Sequence, residues 1–151
     1  MAERYLQAVS VMLIFKRGGR ILLEQRSPKS NWFPNGFAIP GGGVDEGETI
    51  LAAAVREARE ELGVGIDPKN LRIVHVMHRG PKLVSPKLAQ QAVLFFVEVL
   101  DWQGEPYIAE QGKAQQLIWF APQDIPQPVV PYVAQVLDCI AQGDLYSEWS
   151  W

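Results

Sequence analysis

The stretch from Pro40 to Val64 limits the folds open to this chain more than any other. Three consecutive glycines, Gly41-Gly42-Gly43, stand just before the strongest helical segment, Thr49 to Leu62. A triple glycine lets the backbone turn sharply or come close to a ligand. Thr49 is suited to cap the helix, with Glu48 near the positive end of its dipole. Ala52, Ala53 and Ala54 favour the helix, and Gly63 stops it. At 100° per residue, Leu51, Val55, Ala58 and Leu62 fall within an arc of roughly 60°. Glu57, Glu60 and Glu61 fall within roughly 100° of one another, centred about 140° away. The helix therefore has an apolar stripe that needs a partner layer and an opposite stripe of three carboxylates.

The segments around it supply that layer. Residues 6–15 are apolar and β-branched, 16–20 form a turn and 21–26 a return strand, so a hairpin is expected. Ser27 to Gly36 is a loop, and Phe37-Ala38-Ile39 a short strand that ends in the glycines. Leu71 to His78, Gln91 to Leu100 and Leu117 to Phe120 read as strands. Val130 to Gln142 reads as a second helix, with Val133, Val136, Leu137 and Ile140 on one side. Strands and helices alternate while one hairpin forces antiparallel pairing. The expected fold is α+β, an α/β/α sandwich with a mixed sheet between helices, and residues 1–151 as one domain.

Composition narrows the function. The net charge of −3 excludes an overall basic footprint for a nucleic-acid polymer. The single cysteine, Cys139, excludes a disulfide scaffold and a cysteine zinc site, and fits a reducing compartment. No apolar run approaches the length of a membrane span, and the N-terminus, with acidic Glu3, reads as a strand rather than a signal peptide. The cytoplasm is the default expectation.

A helical acidic stripe is ordinarily a solvated face. The alternative is a site for a hard cation, because oxygen ligands at i, i+3 and i+4 can converge on one divalent ion. From Val44 to Leu62 there are six acids (Asp45, Glu46, Glu48, Glu57, Glu60 and Glu61) and two bases, Arg56 and Arg59. The glycines before them offer carbonyls and amides. Carboxylates alone repel phosphate; with a divalent ion they attract and polarise it.

The spacing also resembles a known family. Gly42, five residues, Glu48, seven residues, then Arg56-Glu57-Ala58-Arg59-Glu60-Glu61-Leu62-Gly63-Val64 matches the whole Nudix box, G-x5-E-x7-R-E-U-x-E-E-x-G-U. Seven fixed identities recur by chance on the order of once per 10⁹ windows. The flanks resemble the family as well, in Leu22-Leu23-Glu24-Gln25-Arg26, Ile39-Pro40-Gly41-Gly42 and Leu117-Ile118-Trp119-Phe120. The resemblance implies a Nudix fold with a loop–helix–loop catalytic segment, and hydrolysis of a nucleoside diphosphate linked to another group. It implies Mg²⁺ or Mn²⁺ held by Glu57, Glu60 and Glu61 with the carbonyl of Gly41. It gives Gly42, Glu48, Arg56 and Gly63 structural parts, with Arg56 pairing Glu48. Glu57 is one candidate for the base that takes a proton from the attacking water. Glu110 is the other, in a segment with Lys113 that looks like the late region of MutT-like nucleotide hydrolases.

Outside the box, Arg26, Arg79, Lys82 and Lys87 are candidates to meet phosphates, with Arg79 foremost. Trp32 is the foremost candidate to stack on a base. His75 and His78, three apart in a strand, are expected to point to opposite faces and share no metal. The first substrate expectation is a nucleoside or deoxynucleoside triphosphate, cleaved to monophosphate and pyrophosphate. The second is ADP-ribose or a nucleotide sugar. Leu22-Leu23-x-x-Arg26-Ser27 resembles the signature of coenzyme A hydrolases, but Glu24, Asn31, Asn35 and Ile39 depart from it. A non-catalytic nucleotide sensor is a further alternative, against which the intact glutamates weigh. The aromatic tail from Leu145 to Trp151 can pack on its own domain or on a second copy, so it is compatible with a homodimer.

Overall fold

The computed structural model describes residues 2–82 and 91–151. Its centre is β1 (Ala8–Arg17), which turns through Gly18 and Gly19 into β2 (Arg20–Arg26). Both glycines have left-handed backbone, φ +56° and +74°, the geometry that a tight hairpin asks of them. On its other side β1 pairs in parallel with β6 (Ala92–Val99), from Ala8 against Ala92 to Phe15 against Val99. Next comes β5 (Leu71–Arg79), antiparallel to β6, and then β8 (Tyr146–Trp149), parallel to β5. Beyond β2 lie β3 (Phe37–Ala38) and β7 (Ala114–Phe120), both antiparallel to it.

The alternation of β1 separates two cores. Leu13 and Phe15 face a cluster that includes Ala54, Ala58 and Leu62 of α1 (Ile50–Leu62). Met12 and Ile14 face a cluster that includes Val133, Val136 and Leu137 of α2 (Tyr132–Gln142). The helices thus lie on opposite faces of a mixed sheet, as the alternating pattern predicts.

Two elements depart from the sequence expectation, and a third takes one of its two expected places. The glycines are not a turn: Gly41–Gly43 form β4, antiparallel to β1, with Gly41 opposite Met12. A Cβ on Gly41 would collide with the Val11 carbonyl, so glycine is needed for strand-to-strand approach. β7 begins three residues before Leu117. The aromatic tail is a strand on its own domain, fixed by His75, whose Nδ1 lies 2.8 Å from the Asp144 carbonyl and Nε2 2.7 Å from Ser147 Oγ. His78 instead meets Gln7 and Trp151, so the two histidines have different partners. No helix among the described residues is long and apolar enough to cross a membrane.

Candidate active site

The site is built where α1 passes beneath β4. Thr49 caps α1 by accepting from the Ala52 N–H at 3.1 Å. Gly63 ends it in left-handed conformation, φ 65°. Between these caps the buried face takes in Ala58 and Leu62 of the expected arc but is rotated toward the carboxylates. Leu51 and Val55 are only half-buried, whereas Ala53, Ala54 and Ala58 are fully buried together with Glu57 and Glu61. The alanines let the helix backbone come close to the sheet. The carboxylate stripe next to them is thereby pushed under the glycine strand rather than into water.

Gly42 sits directly over Glu57: a Cβ there would collide with the carboxyl carbon and both oxygens. The Gly41 N–H donates to Glu61 Oε2 at 3.2 Å. Glu57 and Glu61 are 7% and 4% exposed, a burial carboxylates tolerate only when paired. Arg56 supplies one set of partners. Its Nε and Nη2 donate to the two oxygens of Glu48 at 2.7 and 2.9 Å, and Nη2 also reaches the Gly43 carbonyl. Its Nη1 donates to Glu57 at 2.9 Å and to Glu60 at 3.2 Å. The guanidinium thus ties the 43–48 loop to α1 with the planar fork that suits carboxylates. Its hydrogen bonds hold Glu48 at about 2, helped by the Asp45 N–H. Glu60, the third carboxylate of the stripe, has a side chain 56% exposed.

Lys113, at the foot of β7, supplies the other partner. Its ammonium donates to Glu61 Oε1, stands 3.5 Å from the Gly41 carbonyl and 3.9 Å from Glu110 Oε2. Glu110 is placed by backbone: Tyr107 and Ala109 N–H groups donate to the Leu62 and Glu61 carbonyls at 3.1 and 2.9 Å. Orphan carbonyls at the end of α1 therefore hold the late loop against the site. Glu110 remains exposed on the rim.

One acid of this region was not singled out as a site residue in the sequence. Glu24 of β2, only 6% exposed, lines a small cavity with Glu61, Glu110 and Lys113. Burial, and then the charge of Glu61, push its carboxyl well above the usual range; burial likewise raises Glu61, against the pull of Lys113. The signal for Glu24 was faint: a carboxylate at the end of a short apolar strand run, Ile21 to Leu23, followed by Gln25 and Arg26.

The expected substrate residues form a second group. Arg26 Nε donates to the Trp32 carbonyl at 2.8 Å and Nη2 to Ser30 Oγ at 2.7 Å, with the guanidinium 5.3 Å over the Trp32 ring. Trp32 is stacked on buried Tyr132, rings 6.3 Å apart and 14° from parallel. Arg79 ends β5, and it and Arg26 both act electrostatically on Tyr132. Arg26, Ser27, Lys29, Ser30, Gly112 and Lys113 line an open basic cleft of about 220 Å³. Lys113 belongs to this cleft and to the acidic cavity alike. Lys82 bonds through its backbone to Ser150, and Lys87 lies outside the described residues.

Among the described residues, no three acidic, histidine or cysteine side chains stand together as a ready metal cage. The reason is visible in the pairs above: Arg56 holds Glu57 and Glu60, and Lys113 holds Glu61. The donors nonetheless suit a hard divalent cation, being carboxylate and carbonyl oxygens. The Lys113 ammonium already stands as a cation against two of them, Glu61 and Gly41.

Comparison with known proteins places this geometry. The NUDIX domain family matches residues 4–138. An RNA pyrophosphohydrolase of Erythrobacter litoralis is 28% identical over 92% of this chain and 90% of its own. The 8-oxo-dGTP diphosphatase of Escherichia coli is 28% identical over 85% of this chain and 94% of its own. Some matches are partial: the chain spans 58% of an uncharacterized Nudix hydrolase NudL of Klebsiella aerogenes, at 39% identity over 46% of this chain. It spans 32% of an ADP-ribose pyrophosphatase of Methanocaldococcus jannaschii, at 47% identity over 38% of this chain. Among solved structures, a MutT NUDIX hydrolase from Burkholderia pseudomallei superposes with a TM-score of 0.76 at 28% identity, covering 89% of this chain and 98% of that one. With its mixed sheet, two flanking helices and intact box, the chain belongs to the Nudix hydrolase family, pyrophosphohydrolases that act on phosphoric anhydride bonds and generally use divalent metal ions.

Proposed function

We propose that this chain hydrolyses a nucleoside or deoxynucleoside triphosphate to the monophosphate and pyrophosphate. The observation that carries this reading is the adjacency of the acidic pocket beneath β4 to the basic cleft of Arg26, Lys29 and Lys113. A chain of phosphates needs both: a cation-holding centre at the scissile bond, and fixed positive charge for the remaining phosphoryl groups. The two relatives matched over nearly their whole length carry names that fit a nucleotide or RNA pyrophosphate substrate.

In this reading Glu57, Glu60, Glu61 and the Gly41 carbonyl hold Mg²⁺ or Mn²⁺. The ion, when bound, neutralises the phosphates and acidifies a water. Gly42 keeps β4 close over Glu57, and the Arg56–Glu48 pair fixes the loop to the helix. Glu110 is the better placed of the two candidate bases. Glu57 is shut beneath Gly42 and already accepts from Arg56, whereas Glu110 stands open on the rim. Glu110 takes the proton as the water oxygen bonds to phosphorus, and the anhydride P–O bond breaks with its electrons leaving on pyrophosphate. Lys113 and Arg26 orient the phosphates, Trp32 offers a ring face to the base, and Arg79 adds charge from the end of β5.

A hydrolysis panel with Mg²⁺ tests this: the eight common nucleoside triphosphates, oxidised guanine nucleotides, ADP-ribose, nucleotide sugars, dinucleoside polyphosphates and coenzyme A, with products separated by chromatography. A triphosphate is expected to give the highest kcat/KM, with monophosphate and pyrophosphate as products. Preference for ADP-ribose or a sugar nucleotide would overturn the substrate class while leaving the metal site intact. No turnover with Mg²⁺ or Mn²⁺ would favour the nucleotide-sensing alternative.

A further inference from the structure

Glu24 has no part in the function proposed above, and its position is hard to explain as packing. The residue is only 6% exposed on β2, between Leu23 and Gln25, and it lines the cavity it shares with Glu61, Glu110 and Lys113. A carboxylate taken largely out of water is favourable only where a cation can pair with it. The space it faces, about 10 Å³, admits one water-sized body. That space is too small for a substrate group, but it is large enough for the tip of a side chain.

The residue able to fill it is Lys113. Among the described residues its ammonium is the one cationic group lining this cavity, and it stands on Glu61 and the Gly41 carbonyl. These are two of the donors that a divalent ion would take in the function proposed above, on which this inference rests. Ion and ammonium cannot occupy them together: two cations on one carboxylate would repel. Lysine is suited to yield, since its ammonium sits on a flexible four-carbon stem. Two acids are within its surroundings, Glu110 on the exposed rim and Glu24 inside. We propose that Glu24 is a positioning residue, the interior acceptor to which the Lys113 ammonium moves when a divalent cation takes Glu61. The move keeps the lysine at the boundary of the basic cleft, where its charge faces incoming phosphate.

A double-mutant cycle on Mn²⁺ affinity tests this without substrate. Mn²⁺ binding to the whole chain is measured by calorimetry for wild type, Glu24→Gln, Lys113→Met and the double variant, with thermal midpoints as the check on folding. Lys113→Met is expected to bind Mn²⁺ several-fold more tightly, because the competing ammonium is gone. Glu24→Gln is expected to bind several-fold more weakly, and Glu24→Asp to recover part of the loss. In the Lys113→Met background, Glu24→Gln is expected to change nothing. Equal weakening in both backgrounds would make Glu24 a direct ligand or a general source of field, and would overturn the proposal. So would no effect in either. A second readout does not depend on the Gln variant: the ¹⁵Nζ resonance of Lys113 should shift when Mg²⁺ is added to wild type, and an unmoved resonance at saturation would contradict the exchange. Absence of Mn²⁺ binding to wild type would remove the metal reading together with this one. Binding that is intact in wild type but additive across the cycle removes this inference alone.

Discussion

The two helices of this protein make a close comparison. α1 and α2 have similar length, both end on a left-handed glycine (Gly63 at φ 65° and Gly143 at φ 77°), and they cover opposite faces of one sheet. What they bury differs. α2 buries Tyr132, Val133, Val136 and Leu137, and its contribution is an apolar core. α1 buries three alanines and Leu62, and beside them Glu57 and Glu61. Small residues bring α1 so close to the sheet that its glutamate stems fill the space under β4. The carboxylates at their tips are then held by Arg56, the Gly41 N–H and Lys113. One helix adds only apolar side chains to its core, while the other adds to its core two carboxylates that are already paired.

The largest expected effect separates the two helices by activity. Glu61→Gln should lower turnover by roughly 10³, because a bound ion supplies several kcal/mol to the transition state. Circular dichroism and the thermal midpoint should stay close to wild type. Next is Gly42→Ala, whose new methyl displaces the Glu57 carboxylate. Turnover should fall about 10²-fold, the cost of misplacing a catalytic group by an ångström. Stability should drop by about 1–3 kcal/mol from overpacking, read by urea unfolding.

The opposite helix should behave in the opposite way. Leu137→Ala should cost about 2–5 kcal/mol of stability in the same unfolding assay. Its kcat per folded molecule should match wild type within error. A large kcat loss there would break the division of labour between the two faces.

The smallest expected effect is a pH dependence. Arg56 holds the Glu48 carboxyl at about 2, below its ordinary 4.5, so the pair stabilises the fold above that ordinary value. The contribution is lost as pH falls through about 2. Glu48→Gln should therefore lower the thermal midpoint at pH 7, and the gap to wild type should close as the pH approaches 2. A gap of constant size across that range would assign the role of Glu48 to packing instead.

The same comparison shows what could be read from the sequence. Apolar spacing located α2 and its packed face, because there the buried residues are the hydrophobic ones. In α1 the same rule put the core on Leu51, Val55, Ala58 and Leu62; Ala58 and Leu62 are fully buried and Leu51 and Val55 half-buried, but the rule left Glu57 and Glu61 outside. Periodicity assumes that carboxylates face water; this helix breaks that assumption at the site itself. The box residues were still legible, because their spacing carries the information. Glu24 was not, since a single acid on a strand has no spacing partner and its neighbours in space come from α1 and the 105–113 segment. Nor was β8 legible, because its pairing with β5 is set by contacts from His75 to Asp144 and Ser147, distant in sequence.

The central claim is that a divalent cation is held on the α1 side of the sheet, between β4 and the buried carboxylates. Anomalous diffraction at the manganese edge, from crystals grown with Mn²⁺, tests it most directly. The predicted result is a peak bounded by the Gly41 carbonyl, Glu57 and Glu61. A peak confined to other residues, or none at saturating Mn²⁺, would contradict the account.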